Sequence, residues 1–195
     1  MQGTPYIYQG EELGMTNAHF TTIEEYRDVE SLNYYQILLE NGKSEEEALH
    51  ILSERSRDNS RTPMQWSAEK NAGFSQAEPW IEVQKNYKTI NTEVEEKQSD
   101  SILNFYKKLI QLRKKLPVIA NGTIQFLDKE SEGVIGYVRE LEGTKLVVLC
   151  NLCEEENKVV WQSEWDSYEL LLGNYSDGKV DGTLRPYECK VMRSI

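Results

Sequence analysis

Apolar residues recur at helical spacing along several parts of the chain. Leu32, Tyr35, Leu38 and Leu39 predict a helix over residues 29–40. A second helix is expected after Ser44, whose hydroxyl suits the Glu47 amide while the Glu47 carboxylate reaches back. Ala48, Leu49 and Leu52 would form its apolar side. The clearest period covers residues 100–115, with Ile102, Phe105, Tyr106, Leu109 and Leu112 on one face. Lys107, Lys108, Gln111 and Lys114 occupy the other face. Asp100 at its start and Arg113, Lys114 and Lys115 at its end complement the helix dipole, and Pro117 is expected to stop it.

The remaining segments read differently. Pro5 to Tyr8 is strand-like and breaks into a loop over residues 9–14. Residues 55–66 form an irregular polar loop. Residues 67–95 show no sustained period, yet Phe74, Trp80 and Tyr87 mark a packed loop rather than disorder. Beyond Asn121 and Gly122 come six short β-like runs, at 123–127, 134–139, 146–152, 158–161, 168–172 and 188–193. Glycine-bearing turns separate them, which points to an antiparallel sandwich or partial barrel. The fold class expected is α+β.

Composition narrows the function classes. The 195 residues include 22 basic and 33 acidic side chains, a net charge of -11. Such a surface repels phosphate backbones, so nucleic acid is not expected as a partner. No apolar stretch approaches the ~20 residues that span a bilayer, and no membrane partner is expected. The three cysteines, Cys150, Cys153 and Cys189, suit a reducing cytoplasm, the location expected here. Cys150 and Cys153 form a C-x-x-C, but on a strand that odd spacing points the thiols to opposite faces. No second such pair or neighbouring histidine completes a metal set, so neither metal nor cofactor is expected. The opening residues resemble neither a signal peptide nor a free start; they read as if inside a strand, a hint of a fragment.

Three groups offer chemistry. Glu11 and Glu12 are adjacent carboxylates, which diverge on an extended backbone and make a poor acid/base pair. Arg57 and Arg61 flank Asp58, Asn59 and Ser60. Their planar guanidiniums could hold vicinal hydroxyls or an anion, or equally pair with local acids and pin the loop. His19 and His50 have no partner pattern for a triad or a metal.

Two long segments carry a resemblance. Gly3-Thr-Pro-Tyr-Ile-Tyr-Gln-Gly-Glu-Glu-Leu-Gly-Met-Thr-Asn17 is similar to the eighth barrel strand and following loop of glycoside hydrolase family 13, in its oligo-1,6-glucosidase branch. Ser56-Arg-Asp-Asn-Ser-Arg-Thr-Pro-Met-Gln-Trp66 resembles a second hallmark of that branch, followed by Asn71 to Phe74 and Pro79-Trp80. Leu184 to Glu188 resembles the last strand of its C-terminal β-domain. The resemblance implies the final β/α unit and helical loop region of a (β/α)8 barrel over residues 1–118, then an antiparallel β-sandwich over 119–195.

The implied activity is retaining hydrolysis of a small-molecule α-glucoside by paired carboxylates. Those acids would come from earlier barrel strands, so no catalytic residue is assigned and the chain alone is expected to be inactive. Arg61 resembles the arginine that hydrogen-bonds glucose in the non-reducing pocket, and Glu30 an acid near the neighbouring subsite. Residues 20–33 and 57–61 are closer to enzymes that split trehalose 6-phosphate than to those acting on isomaltose-type sugars, which remain the alternative. A reading of another class is a non-catalytic carbohydrate-binding module. With strand edges left unpaired, residues 1 to about 95 are expected to be rearranged, disordered or buried by self-association.

Overall fold

Asp28 and Ser44 set the first two helices by capping. The Asp28 carboxylate accepts from the Ser31 amide at 3.1 Å and starts α1, Val29–Glu40. Ser44 accepts from the Glu47 amide at 3.2 Å while Glu47 accepts from the Ser44 amide at 2.9 Å, and α2, Glu45–Arg55, follows. The computed structural model describes residues 1–127, 132–178 and 181–195. It divides into two compact units, one of Tyr6–Leu109 and one of Met1–Pro5 with Ile110–Ile195.

In the helical unit, Phe20, Tyr26, Tyr35, Leu38, Ala48, Leu52 and Ile81 form one buried cluster. The apolar sides of α1 and α2 therefore meet as their periods require. Residues 67–95 fold into turns, and a short helix α3, Thr92–Lys97, is capped by Asn91. Pro5 to Tyr8, expected as a strand, carries no strand pairing among the described residues. A strand is defined by its ladder, and this segment has no neighbour to supply one.

The amphipathic helix α4 runs Ile102–Lys115, two residues later than its expected start. Ser101 and Gln98 explain the delay: the Ser101 hydroxyl donates to Glu95 O at 2.6 Å and accepts from the Asn104 amide at 3.2 Å, so the turn ends there. Pro117 ends that helix and also opens the short α5, Pro117–Asn121, because a first helical position needs no amide donor.

The described residues of the sheet unit form seven strands: β1 Thr123–Phe126, β2 Val134–Leu141, β3 Thr144–Asn151, β4 Asn157–Lys158, β5 Glu169–Gly173, β6 Thr183–Leu184 and β7 Cys189–Arg193. Five form an antiparallel sheet in the order β1-β2-β3-β7-β5, and β4 pairs with β6. The run expected at 158–161 reduces to a two-residue strand, and β6 was not expected. Both are too short for an alternating pattern to reveal.

Alternation sorts the sheet into two faces. Val134, Val147, Leu149 and Met192 pack with Trp165 and Leu184. Tyr137, Leu146, Val148 and Val191 pack with Val118 of α5. Of the Leu184 to Glu188 segment, Leu184 ends β6 and Arg185 to Glu188 form a closed turn: Arg185 donates to Glu188 through Nη2 at 2.6 Å and through its amide at 2.9 Å. Burial works to raise the Glu188 carboxyl, but Arg185 and Lys190 outweigh it and hold it below the usual carboxylate range. Among the described residues no helix is long and apolar enough to cross a membrane.

Candidate functional site

The polar loop after α2 is built on two buried carboxylates. Asp58, fully buried, accepts through Oδ2 from the amides of Arg27 at 2.7 Å and Asp28 at 2.8 Å. Ser56 caps the turn by accepting from the Asp58 amide at 3.1 Å, and its hydroxyl lies 2.8 Å from that of Ser31. The loop is thus fastened to the start of α1 by hydrogen bonds that replace water on the Asp58 carboxylate.

Both loop arginines converge on Asp28. Arg61 Nη1 lies 3.2 Å from Asp28 Oδ1 and 3.4 Å from Asp58 Oδ1. Arg57 Nη2 lies 2.9 Å from the same Asp28 oxygen and 3.0 Å from Glu30 Oε2. Burial works to raise the Asp28 carboxyl, yet the bonds from Ser31 and Arg57 prevail and hold it below the ordinary range. Arg61 and Glu30 are therefore members of one network, joined through Asp28 and Arg57. The two readings left open for the arginines are compatible. One edge of the Arg61 guanidinium is pinned by acids, while its side chain remains 39% exposed with donors to spare.

Asp28 was not singled out from the sequence. The signal was present, since an Asp directly before an apolar period and three residues ahead of a Ser is an N-cap pattern. What the pattern lacked was any hint that its second oxygen would orient two arginines.

Glu11 and Glu12 separate as their adjacency suggests. Glu11 accepts from the Tyr106 hydroxyl at 2.7 Å, and Glu12 accepts from the Gly10 amide at 2.8 Å. Burial, with Glu11 beside it, pushes the Tyr106 phenol up to about 12. Gly10 and Gly14 bracket this turn with φ of 92° and 68°. A Cβ on Gly14 would come 2.5 Å from Ile102 Cδ1, the free end of an exposed side chain, so it is the left-handed backbone that favours glycine there.

Asn59 ties this turn to the arginine loop: it accepts from the Ala18 amide at 3.0 Å and donates to Ser53 O at 2.8 Å. Tyr8 donates to Ser60 O at 2.8 Å. Between them lies a cavity of about 250 Å³ bordered by Tyr8, Gly10, Met15, Asn17, Asn59 and Thr62. A separate hollow of about 440 Å³ borders Glu30, Asn33, Tyr34 and Arg57. His19 and His50 line a further hollow with Glu45 and Glu46. Among the described residues no group of three or more His, Cys, Asp or Glu could hold a metal ion.

The Asn71 to Phe74 segment contains three successive left-handed residues, Asn71, Ala72 and Gly73, with φ of 53°, 56° and 67°. At Ala72 that conformation costs about 1–2 kcal/mol. It is offset because Ala72 O accepts from both the Trp66 and Ser67 amides, at 2.9 and 3.0 Å. The turn leaves Trp66 and Phe74 about half exposed.

A model of the alpha amylase catalytic domain matches residues 1–122. The chain belongs to the alpha-amylase family. Trehalose-6-phosphate hydrolase of Bacillus subtilis (strain 168) is 44% identical over 99% of this chain and 36% of its own length. Oligo-1,6-glucosidase of Bacillus cereus is 42% identical over the same shares. The crystal structure of Bacillus licheniformis trehalose-6-phosphate hydrolase superposes with a TM-score of 0.91 at 45% identity, covering 98% of this chain and 36% of that one. The chain thus spans little more than a third of the length of the relatives it matches.

Proposed function

We propose that this chain is the C-terminal part of a retaining α-glucoside hydrolase whose substrate is trehalose 6-phosphate, split into glucose and glucose 6-phosphate. The observation that carries the reading is likeness along nearly the whole chain, at 44% and 46% identity, to two trehalose-6-phosphate hydrolases. The alternative substrate, an isomaltose-type oligosaccharide, is supported by the 42% identity to an oligo-1,6-glucosidase.

In this reading residues 1–118 complete a (β/α)8 barrel and 119–195 form a β-sandwich. Arg61 hydrogen-bonds the glucose of the non-reducing pocket, with Asp28 and Asp58 holding its guanidinium in register. Glu30, kept in place by Arg57, faces the neighbouring subsite. Retaining hydrolysis needs a nucleophile and a general acid about 5–5.5 Å apart. The chain assigns neither, so by itself it binds no transition state and is inactive. It works in the cytoplasm and takes no nucleic acid or membrane partner. Exposed Tyr6 and Tyr8 favour self-association of the isolated chain.

Arg61→Ala in the whole enzyme tests the assignment. KM for trehalose 6-phosphate is expected to rise and kcat to fall, since a bidentate donor to the sugar is lost. Unchanged kinetics would remove Arg61 from the site. The same preparation, assayed on trehalose 6-phosphate, trehalose and isomaltose, decides the substrate. Glucose release by the purified 195-residue chain overturns the claim of inactivity.

A further inference from the structure

The three cysteines do not sort as their spacing implies. Cys153 lies beyond the end of β3, and its sulfur contacts Glu132 O at 3.8 Å. Cys150 instead stands directly opposite Cys189 in the β3–β7 ladder, with the two sulfurs 3.1 Å apart. Both thiols are free and both residues are partly exposed.

The ladder pattern makes this pair fit for bonding. Asn151 donates its amide to Glu188 O at 2.8 Å, so the 151–188 pair is a hydrogen-bonded one. Opposed residues alternate in type along an antiparallel ladder, which makes Cys150 and Cys189 a non-hydrogen-bonded pair. In such pairs the Cα atoms lie about 4.5 Å apart with side chains turned toward each other. That separation falls inside the roughly 4.4–6.8 Å that a disulfide spans. No backbone movement is needed.

We propose that Cys150 and Cys189 form an oxidation site, closing to an intramolecular disulfide across β3 and β7 when the chain meets hydrogen peroxide. The Cys150 sulfur, as thiolate, attacks the peroxide: an S–O bond forms, the O–O bond breaks, and one water leaves after protonation. The Cys189 sulfur then attacks the Cys150 sulfur. The S–S bond forms, the S–O bond breaks, and a second water carries off the remaining thiol proton. Two thiols lose two electrons and the peroxide gains them. The shared hydrogen bond from Cys189 lowers the Cys150 pKa against the effect of burial, which favours Cys150 as the first sulfur to react. Cys189 is correspondingly raised by the shared bond and by burial, which suits the resolving role.

The disulfide would close a loop between positions 39 apart and fasten the last strand of the sheet to its centre. This inference is independent of which glucoside the enzyme cleaves. Reduced protein is treated with hydrogen peroxide well below its melting temperature, alkylated and mapped without reductant. The intact chain and C153S should each lose two hydrogens and link the peptide bearing Cys150 to that bearing Cys189. C150S should not, and dithiothreitol should restore both thiols. Oxidised C153S should melt several degrees above its reduced form, whose own melting curve checks that it folds. Continued alkylation of Cys150 and Cys189 after peroxide overturns the proposal. So does a link through Cys153, or overoxidation of Cys150 without a link.

Discussion

The helical unit and the sheet unit satisfy their buried backbone in different proportions by side chain and by ladder. Around the cluster of Phe20, Tyr26, Tyr35 and Leu52, the helical unit also buries Asp28, Asp58, Thr62, Gln65, Gln84 and Asn91. Apart from Thr62, whose hydroxyl accepts from Gln84, these are spent on backbone: Asn91 donates to Tyr87 O at 2.8 Å, and Gln65 Nε2 donates to Ile90 O. The sheet unit instead stacks Val147, Leu149, Trp165, Leu184 and Met192, all essentially inaccessible, on one face of a regular ladder. Loops have no ladder to satisfy their amides, so side chains must do it, and a loop held that way is rigid enough to aim Arg61. A sheet satisfies most of its own backbone, and the polar side chains buried beside it serve the remainder: Arg139, Asn151 and Lys190 donate to the carbonyls of Gly122, Arg185 and Thr183.

The contrast can be broken most forcefully at Trp165. Trp165→Ala empties the centre of the sheet face and is expected to cost about 3–5 kcal/mol. Chemical denaturation would read this as a large fall in midpoint; a change of a few tenths would mean the face is not held by burial. Asp58→Ala attacks the other region. It leaves the amides of Arg27 and Asp28 without an acceptor and Arg61 without one of its two carboxylates, a loss of about 3 kcal/mol for a buried charged partner. Hydrogen exchange at those two amides should accelerate while the amides of β3 keep their protection. Equal acceleration in both would show that the units are not held separately. The smallest effect is expected at the cap of α2: Ser44→Ala removes the acceptor for the Glu47 amide and costs about 1 kcal/mol. Exchange confined to the first turn of α2 would confirm that the contribution is local.

Much of this architecture was legible in the chain. The period of Leu32, Tyr35 and Leu38 marks α1 at the bounds later seen, and Ser44 with Glu47 announces α2 before any packing is considered. The strands that became β1, β2, β3, β5 and β7 were readable as short β-like runs set between glycine-bearing turns. The family, too, was legible, because the motifs around Gly10 and Arg61 are long. The site was legible only in part. Arg57, Arg61 and Glu30 could be named, but their common anchor, Asp28, reads locally as a helix cap. Pro5 to Tyr8 has the composition of a strand and no partner to make it one.

Local order in this protein follows from neighbours a few residues apart, whose caps and periods act before the chain is folded. Contacts between distant residues have no such record. The meeting of Arg57 with Arg61 on a single Asp28 oxygen depends on how the loop docks against α1. The opposition of Cys150 to Cys189 depends on the register of β3 against β7, and a slip of one residue would turn those thiols to opposite faces. Side-chain direction alternates with every residue, so only the assembled ladder chooses which sulfurs meet.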